Sequence, residues 1–418
     1  MPKKLFVGID VSSRSNTVCI INDTGDRIEK SFSIPNNPIG AFELIEKICS
    51  VMEKYHFDSL LIGAEATSFY SDHIVEYLAS TEQLAKYSPL IYQLNPKFVH
   101  GFKKSYPDRN KTDCDDAFVI ADRLRFGRLP KPYTPNQPYL PLRRLTRYRC
   151  HLAETLSREK IYFLTHLFLK FSSYTAIRPF SNTFGATSTH IIMDFFSPDE
   201  LAQMSIEELV DFIIKQGKNR FRDPVRIANE VKRVARESYR LRPALADSVN
   251  LILATSMETI RALSKCLKEV DKAIVKEFSA FNTTLKSVPG LGPVYSAGIF
   301  AEIGDVSRFS KECQIAKSAG LVWRERSSGD FKSEETRMMK SGNKYLRYYL
   351  VEAANCLRLH NLEYRNYYLM KYGEVPKHRH KRALVLTARK LVRLVFALLT
   401  KTQLYDERRT YKNFKEQN

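Results

Sequence analysis

Along the first 130 residues the spacing of apolar positions switches repeatedly between two periods. Lys4 to Val11, Thr17 to Ile21, Ile28 to Ile34, Ser59 to Ala64 and Pro89 to Leu94 are short apolar runs that read as strands. The second and third are separated by the turn sequence Asp23-Thr-Gly-Asp26. Phe42 to Tyr55 and Ser71 to Tyr87 carry helical spacing. Asn95-Pro96 opens another helix, and Thr112 is placed to cap one that runs to Phe126. A three-strand meander followed by alternating helices and strands predicts a mixed sheet with helices packed on it.

The proline-rich stretch Tyr133 to Pro141 has no period and reads as a linker. Beyond it the pattern is almost wholly helical. Leu142 to Phe171 is a long basic helix, and Ser197-Pro-Asp-Glu200 and Ser205-Ile-Glu-Glu208 resemble capping boxes in an otherwise unassigned stretch, 175–222. Ile260, Leu263, Leu267, Val270 and Ile274 step by three and four, which suits a coiled-coil seam and an ordinary bundle helix equally well. Val288-Pro-Gly-Leu-Gly-Pro293 precedes an apolar helix. It resembles the hairpin of a helix–hairpin–helix element, in which Gly290 and Gly292 let backbone N–H groups approach a phosphate. The expected class is α/β followed by all-α, with domains at 1–130, 131–283 and 284–418.

Charge narrows the partners. Sixty-six Lys and Arg face 46 Asp and Glu, a net charge of +20, beyond the magnitude of roughly 2–8 that keeps a small domain soluble. Such a surplus attracts polyanions through phosphate contacts and counterion release. Because the basic residues are spread along the chain, nucleic acid is favoured over a membrane surface. Cations interleave with rings in Phe102-Lys103-Lys104-Ser-Tyr106, Arg143-Arg144, Arg147-Tyr148-Arg149 and Lys377-His-Arg-His-Lys-Arg382, a mixture that serves phosphate pairing and base stacking. Seven cysteines with no C-x-x-C pair argue against a disulfide framework and fit a reducing cytoplasm. His378 and His380 lack a third ligand for zinc. No signal peptide is visible, and Ala383 to Leu399 is broken by Arg389, Lys390 and Arg393, so no membrane role is expected.

Four acids stand out. Asp10 ends the first predicted strand and Glu65 ends a later one, while Asp113 and Asp116 share one face of a helix from which Asp115 is turned away. Singly, each has a structural explanation: a strand-end Asp is ordinarily a turn residue, and first-turn acids favour the helix dipole. As a set they suit a pair of Mg²⁺ ions, which take oxygen ligands and assist phosphodiester cleavage from the nucleophile and leaving-group sides.

Gly8-Ile-Asp10, Ala64-Glu65 and Lys111-Thr-Asp-x-x-Asp-Ala117 resemble the DEDD-type insertion-sequence transposases of the IS110 family, which include the Piv-type DNA invertases. The resemblance continues through Val288–Pro293, Glu302-Ile-Gly-Asp305, Arg308-Phe309, Ala319-Gly-Leu321, Ser328-Gly329, Lys340-Ser-Gly-Asn343 and Leu346-Arg347. It covers roughly residues 3–130 and 284–400. It implies a RuvC-like, RNase H-like first domain, a helical coiled-coil middle and a helical C-terminal transposase domain. Asp10, Glu65, Asp113 and Asp116 become the metal tetrad, expected to hold two Mg²⁺ ions. Ser328 becomes the nucleophile that forms a covalent protein–DNA intermediate, with Ser327 beside it as the alternative. Donor and target DNA, a guide (bridge) RNA and a homo-oligomer, dimer to tetramer, are the implied partners, on the nucleoid of a prokaryotic cell. Lys103, Lys104, Lys111, Arg143, Arg144, Arg147, Gly290, Gly292, Lys340, Asn343 and Arg347 are the candidate nucleic-acid contacts. Trp323 departs from the family, which has Pro there. Two rival readings remain: a hydrolytic junction nuclease needing only the tetrad, and a non-enzymatic binding scaffold.

Overall fold

The computed structural model describes residues 3–106, 112–195, 197–323, 327–328, 331–332, 338–339 and 341–406. The chain divides into two compact units, Met1–Pro138 and Tyr139–Asn418.

The first unit is built on a five-stranded sheet of order β3-β2-β1-β4-β5. Its strands are β1 (Lys4–Val11), β2 (Ser15–Ile21), β3 (Phe32–Pro35), β4 (Ser59–Glu65) and β5 (Leu90–Leu94). The meander β1-β2-β3 is antiparallel, and β4 and β5 run parallel to β1. Side chains alternate between the faces of a strand. Leu5, Val7 and Ile9 with Leu60 and Ile62 therefore enter one core, under α1 (Pro38–Tyr55) and α2 (Tyr70–Ser80). Phe6 and its neighbours on the opposite face meet α4 (Pro96–Lys103) and α5 (Asp113–Phe126).

Two expectations need correction. The predicted strand Ile28 to Ile34 shrinks to β3. Arg27 bridges Ile21 while Phe32 pairs with Val18, so the intervening residues outnumber the places opposite them and bulge out of the ladder. The predicted helix Ser71 to Tyr87 breaks at Thr81, which is extended (ψ 133°) and leads into the short α3 (Glu82–Ala85). Ser80 Oγ donates back to the Glu76 carbonyl (2.7 Å) at this weak helix end.

Among the described residues, the second unit is helical apart from a short hairpin. Its frame is α6 (Leu140–Lys170) packed along α12 (Pro243–Ser279). Between them in sequence lie α7 (Tyr174–Ile177), α8 (Ala186–Asp194), α9 (Pro198–Gln203), α10 (Ile206–Gly217) and α11 (Pro224–Glu237). These share a core with the ends of the two long helices, through Phe163, Leu167, Leu253 and Met257. The unassigned stretch 175–222 is thus a helical cap on the α6–α12 pair. Ser205 and Glu208 form a full capping box, whereas Ser197 makes only the forward half. Along the proposed seam Ile260 and Ile274 are buried, while Leu263, Leu267 and Val270 are half-buried.

The remainder comprises α13 (Pro293–Ile303), α14 (Glu312–Ala319), the hairpin β6 (Ser327–Ser328) and β7 (Phe331–Lys332), α15 (Lys344–His360), α16 (Leu362–Gly373) and α17 (Arg379–Lys401). Its core contains Leu346, Tyr349, Leu350, Leu391 and Val395. Tyr349 is fully buried, and its hydroxyl donates to the Thr146 carbonyl on α6 (2.6 Å). Among the described residues, no helix is long and apolar enough to cross a membrane.

Candidate active site

The sheet brings two of the four acids side by side. Ile9 is level with Ala64 across the parallel β1–β4 pair, so Asp10 and Glu65 follow at neighbouring strand ends. Each acid sits two residues after a glycine, and the two glycines are themselves paired, Gly8 with Gly63. Because strand side chains alternate, each glycine lies on its acid's face of the sheet, the face covered by α5. A Cβ on Gly8 would lie 2.2 Å from the Ala117 carbonyl oxygen and 2.4 Å from the Ala121 nitrogen. A Cβ on Gly63 would meet the Leu124 side chain at 2.9 Å. The glycines admit the helix, and the helix carries the other two acids.

Thr112 caps α5: its Oγ1 accepts from the Asp115 N–H at 3.2 Å. This fixes Asp113 and Asp116 in the first turn. Asp115 points elsewhere, accepting from Thr112 Oγ1 (2.7 Å) and lying 3.6 Å from the Arg27 guanidinium. Burial pushes the Asp10 carboxyl up to about 6. The charges of Asp116 and then Asp113 add to the shift, while Lys103 and the Val11 N–H oppose it. Glu65 is raised by burial and by the charges of Asp10 and Asp116, again opposed by Lys103. Asp10 thus feels the charges of Asp113 and Asp116, and Glu65 those of Asp10 and Asp116. Lys103, at the end of α4, is ion-paired with Asp116.

The donor set suits a hard divalent cation, being all oxygen, multiply anionic and mutually repelling. In this arrangement no three His, Cys, Asp or Glu side chains among the described residues close into a ready-made metal cage.

The other candidate residues are dispersed. Lys104 is exposed at the end of α4, and Lys111 and Lys340 lie outside the described residues. In the second unit, Arg143 Nε donates to the Ala301 carbonyl (2.8 Å), and exposed Arg144 lies beside it on α6. Arg147 forms a two-pronged pair with Glu302 at 2.7 and 2.9 Å, and Asn343 Nδ2 donates to the same carboxylate at 2.6 Å. Arg347 Nη1 donates to the Ala319 carbonyl (2.9 Å). These groups are at least partly spent on the fold. Gly290 has φ +81° in the turn before α13, and Gly292 is the helix N-cap. Ser327–Ser328 pairs antiparallel with Phe331–Lys332. The stem below is closed by the Trp323–Met338 bridge and by Met339 N–H donating to the Val322 carbonyl (2.7 Å).

Glu302 is a residue that sequence reasoning left without a role. Its side chain is fully buried and is met by Arg147 and Asn343. The signal was present as a lone carboxylate in the apolar helix Pro-Val-Tyr-Ser-Ala-Gly-Ile-Phe-Ala-Glu-Ile, since a buried charge requires partners.

A mixed sheet of order 3-2-1-4-5, with acids at adjacent parallel strand ends and on the helix crossing them, is consistent with a DEDD, RNase H-like domain. Residues 7–171 match the DEDD transposase domain of IS110, and residues 282–369 match the transposase IS116/IS110/IS902 family; together the matches take in more than half of the chain. The chain is 26% identical over 407 residues to the insertion element IS116 uncharacterized 44.8 kDa protein of Streptomyces clavuligerus, covering 96% of each. It is 26% identical over 204 residues to the transposase for insertion sequence element IS1111A of Coxiella burnetii, covering 48% of this chain and 55% of that one. It is also 26% identical over 129 residues to the pilin gene-inverting protein of Moraxella lacunata, covering 31% and 36%. The chain belongs to the IS110 family of insertion-sequence transposases, and that membership implies DNA recombination as its activity.

Proposed function

We propose that this transposase cuts and rejoins DNA through a metal-assisted serine–DNA intermediate, guided by a bridge RNA. The observation that carries the reading is the acid cluster, in which Asp10 is held up to about 6 among Glu65, Asp113 and Asp116. So many carboxylates crowded together are destabilising unless a cation is to be bound. In this reading the ligands for Mg²⁺ are Asp10 and Glu65, at the ends of β1 and β4, and Asp113 and Asp116, in the first turn of α5. When bound, the ions supply charge stabilisation for the attacking and leaving oxygens of a phosphodiester.

Ser328 is the nucleophile in this reading. Its Oγ–P bond forms as one P–O bond of the DNA strand breaks, its proton passes to solvent, and the departing DNA oxygen is protonated. One phosphoester replaces another, so a DNA hydroxyl can reverse the step without an external energy source. The family resemblance supports Ser328 over Ser327, because the serine directly precedes Gly329. It likewise supports a composite site made by acids and serine of different subunits in a dimer or tetramer, with the α6–α12 pair as the coiled-coil arm. The +20 charge suits simultaneous contact with DNA and RNA.

The test combines protein, Mg²⁺, RNA transcribed from the element flank and labelled junction DNA, resolved on a denaturing gel. A protein–DNA adduct lost in both Ser328→Ala and Asp113→Asn is the expected result. Nicked DNA without an adduct, retained in Ser328→Ala, would instead establish a hydrolytic nuclease.

A further inference from the structure

We propose that Lys103 is a built-in counter-cation of the acid cluster, which competes with the divalent ion and yields to it when a phosphodiester arrives. The inference rests on the reading of Asp10, Glu65, Asp113 and Asp116 as metal ligands.

Lys103 is the last residue of α4, held against the domain by buried Val99 and by Phe102, which packs on Tyr106 and Phe126. Its side chain is 28% exposed and its ammonium pairs with Asp116, itself 29% exposed. The same positive charge acts on Asp10 and on Glu65. One ammonium therefore serves three of the four acids. Of the three aspartates in the first turn of α5, it engages Asp116 rather than Asp115, which Arg27 and Thr112 hold on the other side.

The ammonium occupies one Asp116 oxygen, and a divalent ion entering the cluster both competes for that carboxylate and repels the positive charge, so metal binding weakens the Lys103–Asp116 pair. The flexible stem lets the displaced ammonium swing only a short way, and it remains at the partly exposed mouth of the site. A nucleic-acid phosphate there gives it a new partner, with charge and hydrogen-bonding complementarity. Metal and phosphodiester then bind with positive coupling, since each removes an obstacle to the other, and that coupling is reciprocal. The ion-loaded site is disfavoured while no strand is present.

The experiment measures Mn²⁺ binding to the full-length protein by electron paramagnetic resonance, with and without a short DNA duplex of arbitrary sequence. Lys103→Gln is expected to bind Mn²⁺ about 5- to 50-fold more tightly than wild type without DNA, within the usual range of coupling between sites. Lys103→Arg should remain near wild type. Lys97→Gln, which removes the same charge from an exposed position on α4, should also leave the affinity unchanged. DNA should tighten Mn²⁺ binding in the wild type and lose that effect in Lys103→Gln. The wild-type coupling is readable even if a variant folds poorly. Unchanged or weaker Mn²⁺ binding by folded Lys103→Gln, or no effect of DNA on the wild type, overturns the proposal while leaving the metal reading intact. Absence of Mn²⁺ binding in every protein overturns both.

Discussion

Gly8→Ala places one methyl group where β1 and α5 touch. The new Cβ would stand 2.2 Å from the Ala117 carbonyl oxygen and 2.4 Å from the Ala121 nitrogen, against 3.4 Å or more for ordinary contact. Both obstacles are main-chain atoms in the middle of a helix, so neither can rotate aside. The helix must retreat by about 1 Å, and overpacking of this kind costs about 1–3 kcal/mol. The functional effect should be larger than that figure suggests. Ala117 follows Asp116 directly, so the retreat moves Asp113 and Asp116 away from Asp10 and Glu65. A displacement of about 1 Å in reacting groups lowers rates by roughly 100-fold. Gly63→Ala is the matched control, because the nearest atoms to its Cβ belong to the Leu124 side chain, from 2.9 Å, and a side chain can shift. Urea denaturation and single-turnover strand cleavage should be measured on both variants. Gly8→Ala cleaving within a few-fold of wild type would refute the claim that this close approach sets the geometry of the acids.

The remaining predictions concern charge. Without divalent ions, Asp10→Asn should be more stable than wild type at pH 7, since it removes a carboxylate whose pKa is raised to about 6. The folded state holds that proton more tightly than the unfolded chain, so the cost appears as pH rises from about 4 to 6 and is fully present above. After allowance for screening the gain is about 1–2 kcal/mol at pH 7; an equal gain at pH 4 in urea titrations would contradict this origin. Glu302→Ala should lose about 3–5 kcal/mol, because Arg147 and Asn343 are left facing a void where a carboxylate was. Thermal denaturation checks it, and a melting temperature within a degree or two of wild type would show that water replaces the carboxylate.

What the sequence made legible follows from how local each signal is. The strand-end acids and the Thr112 cap depend on a few adjacent residues, and α5 begins at Asp113 with the expected cap bond. The Gly-x-acid doublets, Val7-Gly-Ile-Asp10 and Ile62-Gly-Ala-Glu65, are equally visible in the chain. Their meaning is not, because it depends on β1 and β4 pairing with Gly8 opposite Gly63. Only then do two permissive residues become one smooth track for a helix. The pairing of Lys103 with Asp116 was hidden for a similar reason: in sequence it belonged to a basic patch, and the return of α5 over the sheet turns it toward the acids. Tertiary structure adds a second role for Arg147 and Asn343, which sequence names as candidate nucleic-acid contacts. Both bond Glu302, a carboxylate about 40 or more residues away in sequence, and a buried charge must find partners wherever the fold supplies them. Composition shows that charges must be balanced; which cation balances which acid is decided by tertiary structure. The acid cluster and the Glu302 pair are therefore two solutions to one electrostatic problem. Glu302 is closed off inside the protein and satisfied by it. The cluster of Asp10, Glu65, Asp113 and Asp116 is left partly open and under-compensated, and an open excess of charge leaves room for exchange with a ligand.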